Sequence, residues 1–515
     1  MQDASKNKLI EKLVFWAGIG VVFIIYVLKI HEIIVRADYQ WEVREGVGIY
    51  MAQRFAEGIN PYVYRDGLPE AVYMYGFLMP ALLSVFIKLG IPNIILFAQF
   101  LTLGVEIIGV SLFGLIIKRS SVDNLMIPIG MIGASSCYYR VAAYGGVFPD
   151  VYGLTMLILI WFLVQADERR NRFHIITYAV LCTVCFYIKQ YFVFVSVGFL
   201  LYFALKKAYK ELFSFSLIGL AIGGGSILLV RFVFPTYYTT NSYFLSVYNA
   251  YSIGLAIEQL VGICKIYPVL CISVVCGLVS FALGCRYEKI SMNLYAVSQA
   301  IVMLLIGFFL STSNGAWLTY YLQLLVPYII FLALVFLTEW VEKLKLSQNV
   351  ALGMAMILFG VTLFGVRKLV IIKPINNDQI SQWEEVYEIL DNYKDGNIKV
   401  SALPLNFYCI KNGIYNDNPG HSNCYTYELL NMILEDKPSG LIYPYSEELV
   451  EQYMEYHRDS LEKCENGYYD CVVVEKNNYF REEIEEAVSG LYMRVNEYTL
   501  LCGEEKWECT VYARK

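Results

Sequence analysis

The chain reads as a polytopic α-helical membrane protein, of about 11 crossings, carrying a C-terminal external α/β domain. Two observations predict this. Of 515 residues, 57% are hydrophobic and 17% charged, more apolar and less charged than soluble domains. From 372 to 515 the composition changes abruptly to 13 basic and 27 acidic residues, a net −14, against 27 and 19, a net +8, for the rest. The expected division is therefore a membrane part, 1–371, and a water-soluble unit, 372–515.

Leu13–Leu28, Ile94–Ile117, Leu212–Val230, Leu294–Leu310, Thr319–Thr338 and Val350–Val366 each approach the ~20 residues that span ~30 Å of hydrocarbon. Phe77–Ile87, Val151–Val164, Ile175–Ile188 and Tyr191–Leu205 are shorter and suit tilted or broken helices inside a bundle, where irregular backbone at membrane depth is tolerated. Lys6, Lys8 and Lys12 precede a stretch without a small-residue cleavage site, so Leu13–Leu28 is expected to be a retained first helix.

The positive-inside rule places Lys6, Lys8, Lys12, Arg169, Arg170, Arg172, Lys206, Lys207, Lys210, Arg286, Lys289, Lys343 and Lys345 in the cytoplasm. Asp38, Asp150, Lys189, Pro235–Glu258, Ser311–Leu318 and everything after Lys373 then face outward. Three apolar segments separate Asp38 from Asp150, so one of them cannot cross. Leu125–Val147, interrupted by Ser135, Ser136, Tyr138, Tyr139 and Arg140, is the expected re-entrant piece, which leaves Lys118 and Arg119 outside.

In the tail, helical patterns fall at Gln379–Tyr393, Glu447–Leu461 and Tyr479–Val488. Strand patterns fall at Ile398–Ala402, Cys471–Glu475, Tyr498–Cys502 and Cys509–Ala513. Its six cysteines, Cys409, Cys424, Cys464, Cys471, Cys502 and Cys509, permit disulfides in an external unit. They lack the CxxC pairs of a structural zinc site.

Chemistry-bearing residues gather at one predicted face. Asp38, Glu42 and Glu45 are spaced by four and three, so a helix there would put all three carboxylates on one side. Such a face can deprotonate a hydroxyl or hold a divalent cation, and it equally suits a solvated juxtamembrane helix. Asp150, after Val147-Phe148-Pro149, and Lys189-Gln190, between two half-length helices, reach the same side. Ionisable groups at the ends of short membrane helices are functional candidates, with a structural Asp–Lys pair as the alternative. Arg231 ends a later run, where a guanidinium can grip phosphate or simply snorkel to the interface. Glu106, in the middle of a run, suits helix packing. Tyr237, Tyr238, Tyr243, Tyr248 and Tyr251 can stack on sugar rings or form an interfacial belt. His421, in a Pro-Gly turn, reads as a solvated loop group.

The ordered set of Asp38, Gly58-Ile59-Asn60-Pro61-Tyr62, Pro149-Asp150, Lys189-Gln190 and Tyr320-Tyr321-Leu322-Gln323-Leu324-Leu325-Val326-Pro327 resembles bacterial GT-C superfamily glycosyltransferases, in the group of protein mannosyltransferases and the lipid A aminoarabinose transferase. The resemblance covers Leu13–Leu346. It implies a membrane glycosyltransferase that moves a sugar from a polyprenyl-phosphate donor to an external acceptor hydroxyl, with Asp38 as base. Lys189, Gln190 and Arg231 would then hold the donor phosphate, and Glu42, Glu45 and Asp150 an acceptor or metal. Tyr62, Tyr320, Tyr321 and Gln323 would line the groove. The region Glu70-Ala71-Val72-Tyr73-Met74-Tyr75 lacks the lysine usual in the aminoarabinose-type group, which puts that acceptor in doubt. No cofactor is certain, a divalent metal is possible, and the acceptor stays open.

A carrier or flippase of lipid-linked glycans is the alternative, as is a scaffold presenting the tail. Carriers place coupling groups near the midplane, where Glu106 is the sole candidate. No basic patch interleaved with aromatics supports a nucleic-acid partner. The tail's acidity argues against polyanionic acceptors.

Overall fold

The structure is a computed structural model. It describes residues 2–36, 38–40, 45–60, 64–65, 68–69, 75–120, 122–141, 146–170, 174–234, 237–238, 252–266, 272, 294–311, 324–343, 348–370, 377–416, 447–478, 480–502 and 505–515. Helix α1 (Gln2–Arg36) leads to α2 (Glu45–Ala56), a short ladder of β1 (Tyr64–Arg65) and β2 (Leu68–Pro69), and α3 (Leu78–Lys88). Then come α4 (Ile94–Arg119), α5 (Met126–Val141), α6 (Pro149–Arg170), α7 (Ile175–Ile188), a 3-10 turn (Gln190–Val193), α8 (Phe194–Leu205) and α9 (Tyr209–Val233). The helical part closes with α10 (Ile253–Ile266), α11 (Leu294–Ser311), α12 (Val326–Lys343) and α13 (Gln348–Val370).

Among the described residues Leu9–Val35, Ile94–Arg119, Pro149–Glu168 and Tyr209–Val233 are long and apolar enough to cross a membrane. Their outer faces invert the soluble pattern. Helix α9 buries Phe215 and Val230 and turns Leu220, Leu228 and Phe232 outward, as suits a lipid solvent in which outward apolar surface costs nothing.

Helices α4 and α6 run parallel. The hydroxyls of Thr102 and Tyr152 meet at 3.1 Å, Thr155 Oγ1 donates to the Val105 carbonyl at 3.1 Å, and Gln165 Nε2 donates to the Ile116 carbonyl at 3.2 Å. Helix α5 runs the opposite way, with Tyr138 against Gly109 and Met131 against Gly114. A Cβ at Gly109 would lie 1.8 Å from Tyr138 Oη, so glycine is what lets the phenol reach Thr155 Oγ1 at 2.7 Å.

This packing overturns the expectation that Leu125–Val147 is re-entrant. Helix α5 returns along α4, and its polar groups are satisfied inside the bundle: Ser136 Oγ donates to the Gly133 carbonyl at 2.6 Å, and Tyr138 meets Thr155. The segment that stays on the Asp38 side is α3. Its Met79 and Leu83 pack with Ile49–Ala52 of α2, and its 11 residues extend about 16 Å, half a bilayer core. Lys118 and Arg119 therefore lie on the face opposite Asp38. Arg119 stacks over Phe162 at 3.9 Å, near the α6 end where Glu168 pairs with Lys206, so the basic residues collect on one side after all.

Glu106 is not isolated. Its Oε1 accepts from Lys29 Nζ and, at 3.1 Å, from Tyr26 Oη, tying α1 to α4. Helix α1 needs such a tie because most of its apolar surface faces outward.

The C-terminal sheet domain contains α14 (Asn377–Asp391), β3 (Ile398–Ser401), a 3-10 turn (Leu403–Leu405), α15 (Asn406–Asn412), α16 (Glu447–Glu465), β4 (Cys471–Glu475), α17 (Arg481–Val488), β5 (Tyr492–Cys502) and β6 (Glu505–Arg514). Strand order is β3-β4-β6-β5, with β3 and β4 parallel and the other pairs antiparallel. Alternation along β4 splits the core. Cys471 and Val473 join Trp383, Val386 and Leu390 on one face, while Val472 and Val474 join Ile484 and Val488 on the other. Strands β5 and β6 outrun their sequence signal because charged pairs such as Arg494–Glu497 occupy their exposed ends. Cys471 and Cys509 are buried thiols; Cys424 and His421 lie outside the described residues.

Candidate active site

Helix α6 opens with Pro149, whose missing N–H costs nothing at a first helical position, and Asp150, whose charge suits the positive helix end. Helix α7 stops at Ile188, Lys189 takes an extended backbone (φ −160°, ψ 134°), and the 3-10 turn redirects the chain into α8. That break aims Lys189 at Asp150. Its Nζ lies 2.9 Å from each carboxylate oxygen, and the Tyr191 hydroxyl also donates to Asp150. The Tyr75 ring covers the ammonium at 4.2 Å. Tyr75 gets there because Gly76 crosses directly over the end of α7; a Cβ would fall 1.8 Å from the Tyr187 carbonyl oxygen. The Asp150 side chain is 2% exposed and that of Lys189 10%, so both charges have left water and each depends on the other. Gln190 follows at the start of the turn, half-buried.

Glu45 joins this cluster from α2. Buried, it accepts from Gln99 Nε2 at 3.0 Å and from the Val147 amide at 3.3 Å, bracing the turn that starts α6. Asp38 does not share its face. Residues 38–40 form a turn rather than a helix, so the expected stripe of carboxylates is not formed; α2 begins at Glu45. The reason is tertiary. Gln40, fully buried, donates to the Leu403 carbonyl at 3.3 Å, and Tyr387 Oη donates to the Asp38 carbonyl at 3.2 Å, which draws the turn onto the sheet domain. The Asp38 carboxylate is 64% exposed and ion-paired with Lys411 of α15.

Arg231 is exposed on the last turns of α9. Tyr187 Oη donates to Ser226 Oγ at 3.1 Å, tying α7 to α9 five residues before Arg231. The end of α9 and the end of α7 meet at Phe77, whose ring lies 4.8 Å from Phe234 and 5.2 Å from Tyr187. Tyr237 is core rather than a sugar platform: it is fully buried, with its ring 5.5 Å from Phe77 and 6.1 Å from Tyr187. Tyr238 Oη meets Tyr187 Oη at 2.8 Å. Glu42, Tyr62, Tyr243, Tyr248, Tyr251, Tyr320, Tyr321 and Gln323 lie outside the described residues.

The structure therefore brings Glu45, Asp150 and Lys189 together, leaves Arg231 exposed in the last turn of α9, and sets Asp38 against the sheet domain. Among the described residues no three His, Cys, Asp or Glu side chains are grouped to hold a metal. Sequence reasoning missed Tyr75, Tyr191 and Lys411. A Tyr-Gly pair and a tyrosine two residues after Lys189 were the available signals for the first two; Lys411 had none.

The fold has relatives among solved structures. ArnT from Cupriavidus metallidurans bound to undecaprenyl phosphate superposes with a TM-score of 0.56 at 12% identity, covering 96% of this chain and 97% of that one. Its apo state gives 0.54 at 12%, covering 96% and 98%. The fold is ArnT-like. The helical architecture with a C-terminal sheet domain expected from the sequence is the architecture found, and the likeness runs through the sheet domain as well as the helices. No family model and no curated protein sequence matches the chain.

Proposed function

We propose that this chain is a membrane glycosyltransferase of the outer face of a bacterial plasma membrane, its N-terminus cytoplasmic and its sheet domain external, using a polyprenyl-phosphate sugar as donor. The observation that carries the reading is the buried Asp150–Lys189 cluster at the α7–α8 break, within a fold shared end to end with a protein solved holding undecaprenyl phosphate. A polyprenyl chain must lie in lipid while its phosphate stays at the interface, and the lipid-facing apolar surface of α9 ending in the exposed Arg231 suits both.

In the proposed reaction the acceptor hydroxyl oxygen bonds to the anomeric carbon as Asp38 takes its proton. The anomeric carbon–oxygen bond breaks, and its electron pair leaves with the polyprenyl phosphate. Arg231, exposed and not held in a buried pair, suits the departing charge. Lys189 is already neutralised by Asp150, so it contributes to phosphate binding only by sharing its ammonium between the two anions. Gln190 extends the same site.

Membranes containing the protein, incubated with a panel of labelled polyprenyl-phosphate sugars with and without chelator, test the reading by product mass. Transfer from at least one donor is expected, abolished in Asp38→Asn while donor binding persists. If every donor is ignored, the carrier alternative takes its place.

A further inference from the structure

We propose that Lys411, supplied by the C-terminal sheet domain, is a positioning residue for Asp38, so that the soluble domain completes the transfer site. This deepens the transferase reading and rests on Asp38 being its base. The carboxylate sits in a turn at residues 38–40, and the sheet domain grips that turn on both sides of the side chain. Tyr387 Oη donates to the Asp38 carbonyl at 3.2 Å. The Tyr39 ring packs against Trp383 at 6.1 Å and Tyr387 at 5.8 Å, its hydroxyl 3.3 Å from Glu384. Gln40 is buried on the Leu403 carbonyl.

Lys411 then reaches Asp38 Oδ1 from the last turn of α15. That helix is itself anchored: Phe407 and Ile410 are buried against Ile49–Ala52 of α2, and the Asn416 amide donates to Tyr50 Oη at 3.3 Å. The ammonium is therefore placed by buried packing, while the carboxylate it touches stays open to water. A base held at one oxygen by a fixed third group, with the other oxygen open to an incoming proton, is the arrangement that oriented bases use.

The opposite role, a brake in which the domain shields Asp38, fits less well. An ion pair on a carboxylate that is 64% exposed is too weak to hold a domain shut, and the buried docking of α15 on α2 marks a fixed contact rather than a lid.

The test is steady-state transfer of a labelled polyprenyl-phosphate sugar by the full-length protein in membranes. Lys411→Met should lower kcat on the order of tenfold with donor KM unchanged, since misplacing a reacting group costs turnover. Lys411→Arg should restore most of it, and Lys411→Met should add no loss in an Asp38→Asn background. If Lys411→Met is poorly folded by thermal melting, Tyr387→Phe, which removes only the hydroxyl on the Asp38 carbonyl, should show the same kcat loss. An active Asp38→Asn would defeat the base assignment itself. An inactive Asp38→Asn beside a Lys411→Met as fast as wild type, or faster, would overturn the positioning role and leave the transferase reading standing.

Discussion

The Lys189–Asp150 and Lys411–Asp38 pairs sit in environments that could hardly differ more. Lys189 meets both oxygens of Asp150 where 2% of the acid is exposed; Lys411 touches one oxygen of Asp38 where 64% is. The same chemistry thus serves two ends. Inside, each charge exists because the other cancels it, and the pair ties α6 to the α7–α8 break. Outside, water already stabilises both charges, so the pair adds little energy and the carboxylate remains available to react.

Stability measurements should separate the pairs sharply. Lys189→Met leaves a buried carboxylate without its cation and should destabilise the protein by about 3–5 kcal/mol, with Asp150→Asn in the same chain recovering much of it. Thermal unfolding in detergent checks this, and a Lys189→Met as stable as wild type would mean that Asp150 is wetter than its burial implies.

Another buried acid sharpens the contrast from within the sheet domain. Burial pushes the Glu475 carboxyl up from an ordinary 4.5 to about 7, partly offset by the Leu403 amide that donates to it at 3.1 Å. Its folded value is raised, so its stabilising contribution is complete below about 4.5 and is lost as pH climbs through about 7, a cost of roughly 3 kcal/mol at pH 8. Glu475→Gln, which keeps an acceptor for Leu403, should flatten the fall in unfolding temperature between pH 5 and pH 8. An unchanged slope would place the titration elsewhere.

Glu45 is intermediate. It is buried, and it accepts from two neutral donors, the Gln99 side chain and the Val147 amide. Glu45→Ala orphans the Gln99 amide and the Val147 N–H and should cost about 1–3 kcal/mol in the same unfolding assay. At the other end of the scale, Lys411→Met and Asp38→Asn should each change stability by less than about 1 kcal/mol. A larger loss in either would show that the outer pair is structural after all.

The legible parts of the site were those written in run length. Two apolar runs too short to span, separated by Lys189-Gln190, announced a break with a cation in it, and Pro149-Asp150 announced a helix start with an acid in its first turn. Which carboxylate that cation would choose was not legible, because Asp150 is 39 residues away and Asp38 and Glu45 were equally near in character. The choice of α5 over α3 as the non-crossing segment failed for a related reason. Serines and tyrosines look unfavourable in a membrane helix until their partners, here Thr155 and the helix's own carbonyls, are known.

By itself the sequence determined that the chain is a helical membrane protein with an acidic α/β unit at its end, since the hydrophobic effect acts on composition and periodicity whatever the partner. Only the tertiary structure decided that Glu45 turns inward to brace α6, that Asp38 turns outward to a lysine 373 residues along the chain, and that α3 stays on the Asp38 face. Those outcomes depend on which polar groups find one another across the fold, and a hydrogen bond is a property of two places at once.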